Sequence, residues 1–213
     1  MDHHQPLPES DELKRSVKMT RWRLVCLALL ASAWGLSELI GGETVVLVAV
    51  ALLLLAIGRT VLNRLGTSTA MTAIAVLFKS VNTAPFLCHL AGIALLGIAF
   101  DLMATLLWRE ERKPFLRAAF TGATSAYLSC FLFATSMIWI VEFKHWAGGG
   151  FERLGEYLLS SGTRGAVTAL VVVPLGLWLG RQLARQAVGH PRTVLGATVA
   201  ACLALWVLGP FAG

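Results

Sequence analysis

Charge is scarce in this chain. Asp, Glu, Lys and Arg make up 14% of its 213 residues, against 56% hydrophobic ones, and no polar stretch is long enough to fold on its own. That balance leaves no room within these residues for a soluble catalytic domain, and it is the composition of an integral membrane protein. Cysteine is scarce too: Cys26, Cys88, Cys130 and Cys202 all lie in apolar stretches and none forms a C-x-x-C pair, so neither a disulfide framework nor a zinc ribbon is expected. The sequence has no nucleophile elbow, no H-E-x-x-H pair and no phosphate-binding loop, which removes the common signatures of hydrolases, metalloproteases and nucleotide-driven enzymes. Runs of alternating short strands, which a membrane barrel requires, are missing as well.

What is there is a series of apolar segments, each close to the roughly 20 residues a bilayer crossing needs. The pattern predicts an all-α, polytopic helical bundle of seven spans. They run over about 22–40, 44–63, 68–81, 86–108, 116–141, 164–180 and 193–208. Residues 1–20 read as a disordered polar tail, 21–188 as a six-helix core and 189–213 as an additional C-terminal helix. Lys14 to Arg23 followed by a short apolar run and Ala31-Ser32-Ala33 imitates a signal peptide, but the apolar run continues to Ile40, long enough to be retained as a span.

Eighteen cations against twelve acids give a net charge of +6, and fourteen of those cations fall into four clusters: Lys14–Arg23, Arg59 and Arg64, Arg109–Arg117, and Arg181–Arg192. The clusters alternate with loops that carry few cations. Basic loops stay cytoplasmic, so the N-terminus is expected inside. The surplus charge then needs no nucleic-acid partner. Asn82 to Pro85 reads as an outer break, and residues 142–163 as the longest outer segment. Within that segment Phe151, Leu154, Tyr157 and Leu158 share one face of a short amphipathic helix on the outer surface, after the flexible joint Gly148–Gly150, and it reads as a linker resting on lipid or as a lid over a pocket.

Polar groups inside the spans carry the functional signal, because each is costly in lipid unless paired or wet. Trp34 and Glu38 are four residues apart on one helix face. Lys79, Asn82, Cys88 and His89 lie at a similar depth, as do Glu142, Lys144, His145 and Trp146. Two readings fit this collar: a pocket open to the outside for a small polar or aromatic solute, or anchoring of Trp, Lys and His at headgroup depth. Asp101 lies deeper, and Arg59 is its natural partner, as a structural ion pair. Ala28, Ala31, Ser32 and Gly35 form a stripe of small residues on the first span. The stripe suits either close packing inside the bundle or docking onto another membrane subunit. Met1-Asp2-His3 has the atoms to chelate Cu²⁺ or Ni²⁺, but two histidines in a polar tail read as incidental, and no metal or cofactor is expected.

The stretch from the first to the fourth span resembles the substrate-binding S components of energy-coupling-factor (ECF) transporters. The resemblance is carried by Ala31-Ser32-Ala33-Trp34-Gly35-Leu36-Ser37-Glu38, Gly58-Arg59, Gly66-Thr67-Ser68, Lys79 and Asn82–Pro85. It implies a protein of the bacterial cytoplasmic membrane that binds a micronutrient near its outer face and performs no catalysis. It also implies a transmembrane coupling subunit carrying two ATPases as partner. By that resemblance Trp34, Glu38, Lys79, Asn82 and His89 border the substrate pocket, and Ala28, Ala31, Ser32 and Gly35 dock the partner. The family has six spans, whereas this chain carries a seventh. The competing expectation is a structural or assembly subunit whose polar residues only anchor and pair.

Overall fold

The computed structural model describes residues 9–82, 86–108, 114–142, 146, 148–189 and 191–209, and all regular structure in them is helical. The helices are α1 (Glu9–Ile40), α2 (Thr44–Val61), α3 (Thr67–Asn82), α4 (Leu87–Leu107), α5 (Pro114–Thr135), α6 (Gly150–Tyr157), α7 (Thr163–Gly189) and α8 (Pro191–Leu208). A π-helical turn, Ser136–Ile140, extends α5, and another, Leu158–Gly162, joins α6 to α7 without a break. Five segments are long and apolar enough to cross a bilayer: Thr20–Ile40, Thr44–Val61, Leu87–Leu107, Pro114–Ile140 and Gly150–Ala187. α3, with 16 residues, and the apolar part of α8, Thr193–Leu208, are shorter.

Two expectations are corrected here. α1 begins at Glu9, so most of the stretch read as a disordered tail is helical. The segment read as a separate surface helix is the first part of one continuous helix from Gly150 to Gly189. The chelating triplet Met1–His3 and the loop cations Arg109–Lys113 lie outside the described residues, as do Lys144, His145 and most of the break at Asn82–Pro85.

Six helices close a ring in the order α1, α3, α4, α5, α7, α2, with α8 outside it against α1. Small residues set the closest approaches. A Cβ at Gly176 would lie 2.8 Å from the Leu53 carbonyl oxygen, and one at Gly180 2.7 Å from Thr60 Cβ, so α7 meets the backbone of α2 only because these positions are glycine. At Gly97, α4 meets Thr72 of α3 in the same way. Leu52, Leu55, Met71, Phe100, Val173 and Leu177 fill the ring interior. The outer surface is apolar all round: Leu24, Val46, Leu77, Leu102, Phe131 and Val171 are exposed on α1, α2, α3, α4, α5 and α7. A helical bundle hydrophobic inside and out is made for lipid, and this chain is an integral membrane protein by that criterion.

The two ends of the ring differ. At one end stand Arg21, Arg23, Arg59, Arg64, Arg181 and Arg185. Here Arg59 and Asp101, 3% and 5% exposed, pair at 2.8 Å. Asp101 also accepts hydrogen bonds from the backbone N–H of Gly66 (2.7 Å) and Ser68 (3.4 Å) and from the Thr69 hydroxyl (3.0 Å). Arg59 reaches Thr105 Oγ1 at 2.8 Å and the Arg64 carbonyl. One carboxylate on α4 therefore caps the start of α3 and holds the end of α2. Gly66, at φ +88°, makes the turn that presents its N–H to Asp101.

Candidate functional site

The opposite end of the ring is not filled. Where α1, α2, α4, α5 and α7 diverge, a cavity of about 530 Å³ opens, within the range of small-molecule sites. Val48 and Ala51 of α2, Ile93 and Leu96 of α4 and Phe133 of α5 make its apolar walls. Polar atoms enter from Glu38, His89, Ser129, Tyr157, Ser161 and Arg164.

Glu38 is the best-held of these. It lies in the last turn of α1, just before Gly41 and Gly42 turn the chain into α2 with positive φ. Its side chain is nearly buried, yet both oxygens are engaged. Oε1 accepts from Trp34 Nε1 at 3.2 Å, the i,i+4 contact expected from sequence. Oε2 lies 2.7 Å from His89 Nε2 on α4 and 3.5 Å from Lys79 Nζ on α3, and Lys79 also donates to the Glu38 carbonyl oxygen at 3.0 Å. A carboxylate facing its partner atom makes Nε2 the protonated nitrogen of His89. Three helices are tied at one carboxylate, and His89 remains 42% exposed toward the open end.

The residues named from sequence divide accordingly. Trp34, Glu38 and His89 line the cavity. Lys79 does not; it stands behind Glu38 and holds it in place. Asn82 is turned the other way, donating to the Phe78 carbonyl at 2.7 Å, with Gly209 beside it. Three of the four stripe residues are packed within this chain, and Ala28 is half-buried. Ala31 and Ser32 are fully buried, and Gly35 faces Phe78, which a Cβ would approach to 2.8 Å. Trp206 of α8 donates to Ser32 Oγ at 2.9 Å and meets the Phe78 ring edge-on, with centroids 5.0 Å apart. α8 thus lies over the face that the resemblance reserves for a partner.

Several lining residues were not singled out from sequence. Arg164 was read only as the start of a span, and Cys130 only as a thiol in lipid; both border the cavity. So does Tyr157, on the face of a helix that sequence left open as a lid over a pocket or a linker resting on lipid. It stacks instead with Trp146 and Phe133, at centroid distances of 5.0 and 5.9 Å, and Arg153 lies over the Trp146 ring at 5.8 Å. This aromatic cluster fastens α6 to the end of α5 and walls one side of the cavity. π turns sit beside it on both helices, in keeping with their frequent place at functional sites. Among the described residues no group of three or more metal-ligating side chains converges. Comparison with family models, with curated proteins and with solved structures finds no match.

Proposed function

We propose that this chain is a membrane-embedded binding subunit that captures a small solute from the outer face of a bacterial cytoplasmic membrane. The observation that carries this reading is the 530 Å³ cavity with a buried carboxylate, held by Trp34, Lys79 and His89, at its edge. A helical bundle that needed only to be stable would fill that space, since an empty apolar volume forfeits packing.

The charge pattern supports the direction of access. Seven spans with the N-terminus inside put every arginine cluster in the cytoplasm. Glu38 is fifteen residues from Arg23, and Arg164 seventeen from Arg181, which at ~1.5 Å per residue places both ~22–26 Å from the basic surface. The cavity then opens within reach of the outer headgroups. In this reading the chain carries no catalysis of its own and passes its solute to an ATP-driven coupling subunit, as the resemblance to ECF S components implies. Docking through Ala28, Ala31, Ser32 and Gly35 would require α8 to move aside.

A second reading, a structural or assembly subunit, draws support from one specific observation. Glu38 is satisfied by the protein itself, and most of the small-residue stripe is already covered. Native mass spectrometry of the gently extracted protein separates the two. A reproducible small-molecule adduct that is lost in the cavity-filling Gly92→Trp, with folding intact, supports the binding subunit. A clean apo mass with another membrane protein attached favours the assembly subunit.

A further inference from the structure

The charges around the cavity are unequally compensated. Glu38 has its oxygens taken by Trp34, His89 and Lys79, so it has little left to offer a cationic ligand. Arg164 is the opposite case. Its one hydrogen bond within the protein runs from Nε to the Ser160 carbonyl at 3.4 Å, and among the described residues no carboxylate lies within ion-pair distance of it. The two terminal nitrogens of the guanidinium keep their donors free of protein acceptors, at the edge of a cavity whose α2, α4 and α5 walls are largely Val, Leu, Ile, Ala and Phe, with Glu38, His89, Ser129, Tyr157 and Ser161 as its other polar lining. Arg164 is exposed toward the open mouth of the cavity, where a solute can reach it, and a planar fork of donors matches a carboxylate in bidentate fashion.

From this juxtaposition we infer that the solute is an amphipathic monocarboxylate, with its carboxylate on Arg164 and a compact apolar or aromatic body between α2, α4 and α5. This rests on the solute-binding reading and narrows it. One guanidinium suits one negative charge. A phosphate monoester, carrying about −1.5 to −2 at neutral pH, would remain under-compensated, because Lys79 is already turned to Glu38. His89 stands at the rim and is held by Glu38, so it is fixed in orientation to meet a polar substituent on the ligand body.

The test uses the full chain in nanodiscs and three probes that share one body: 4-phenylbutyrate, 4-phenylbutyramide and 4-phenylbutylamine. Binding is measured by calorimetry against empty nanodiscs, for the native protein and for Arg164→Gln, Arg164→Lys and the cavity-filling Gly92→Trp. The expected result is carboxylate binding at least ~10-fold tighter than amide or amine, as charge-assisted pairing warrants. That preference should be lost in Arg164→Gln, partly kept in Arg164→Lys, and all saturable binding should be abolished in Gly92→Trp. Saturable binding that Gly92→Trp removes, but with no preference for the carboxylate, overturns the inference and leaves the binding subunit standing. No saturable binding of any probe to native protein that remains monodisperse counts against both. A preference that survives Arg164→Gln moves the anion site elsewhere and overturns the assignment to Arg164.

Discussion

Replacing Asp101 by alanine should be among the most damaging single changes in this protein, and more damaging than removing its partner Arg59. Asp101→Ala deletes the acceptor for Arg59, for two backbone N–H groups at the start of α3 and for the Thr69 hydroxyl. It leaves a guanidinium 3% exposed and a helix N-terminus without its cap. Interhelical hydrogen bonds in membrane proteins average only ~0.6 kcal/mol each, which for the bonds lost here gives ~2 kcal/mol. The stranded buried charge raises the total to about 3–5 kcal/mol. Arg59→Met removes one of those bonds and leaves Asp101 its three donors from α3, so about 1–3 kcal/mol is expected. The assay is equilibrium unfolding by steric trapping, with both variants and the double substitution completing a cycle. A loss below ~1 kcal/mol for Asp101→Ala, or a larger loss for Arg59→Met, would refute the account of Asp101 as the cap that holds α2, α3 and α4 together.

Gly176→Leu places a side chain against the Leu53 carbonyl and should cost about 1–3 kcal/mol by overpacking, whereas Gly155→Ala, which meets open space, should leave the unfolding midpoint in the same assay unchanged. Trp206→Ala removes the edge contact with Phe78 and the hydrogen bond to Ser32; a destabilisation of about 1–3 kcal/mol is expected, and unaltered thermal unfolding in nanodiscs would mean that α8 is not seated on α1. A variant retaining Cys88 alone should react with a membrane-impermeant maleimide added outside intact cells, because Cys88 lines the cavity, while one retaining the buried Cys26 alone should not. Labelling of Cys88 only from the cytoplasmic side would reverse the orientation.

Helix content was legible because long apolar runs with arginine at their ends admit few other structures, and single pairs were legible where spacing or scarcity decided them. Trp34 and Glu38 meet because they are one turn apart, and Arg59 and Asp101 because each is a rare deep charge. The continuity of Gly150–Gly189 was hidden because 142–163 read as an outer segment with its own short helix and 164 as the start of a span; the π turn at Leu158–Gly162 carries the helix through. It also changes the helical register, which turns Tyr157 toward α5. Arg164 could not be placed in a cavity before the ring order was known, since α7 packs between α5 and α2. Asn82 was grouped with Lys79 because it lies one turn above it, yet its side chain turns back to the Phe78 carbonyl beside Gly209.

α3 is 16 residues long, or ~24 Å, short of the ~30 Å hydrocarbon core, and Lys79 lies within it. It is held at both ends by acids on other helices: Lys79 by Glu38 of α1, and its first turn by Asp101 of α4. During synthesis the first anchor is already in the membrane when α3 emerges. The second follows Asn82 by nineteen residues, a delay of ~1–4 s at typical elongation rates. On the seven-span reading proposed above, α3 is expected to gain its second anchor only when α4 arrives. Loss of Asp101 would then be felt first as a fault of membrane integration, with α3 left on the cytoplasmic side and the helices after it inverted.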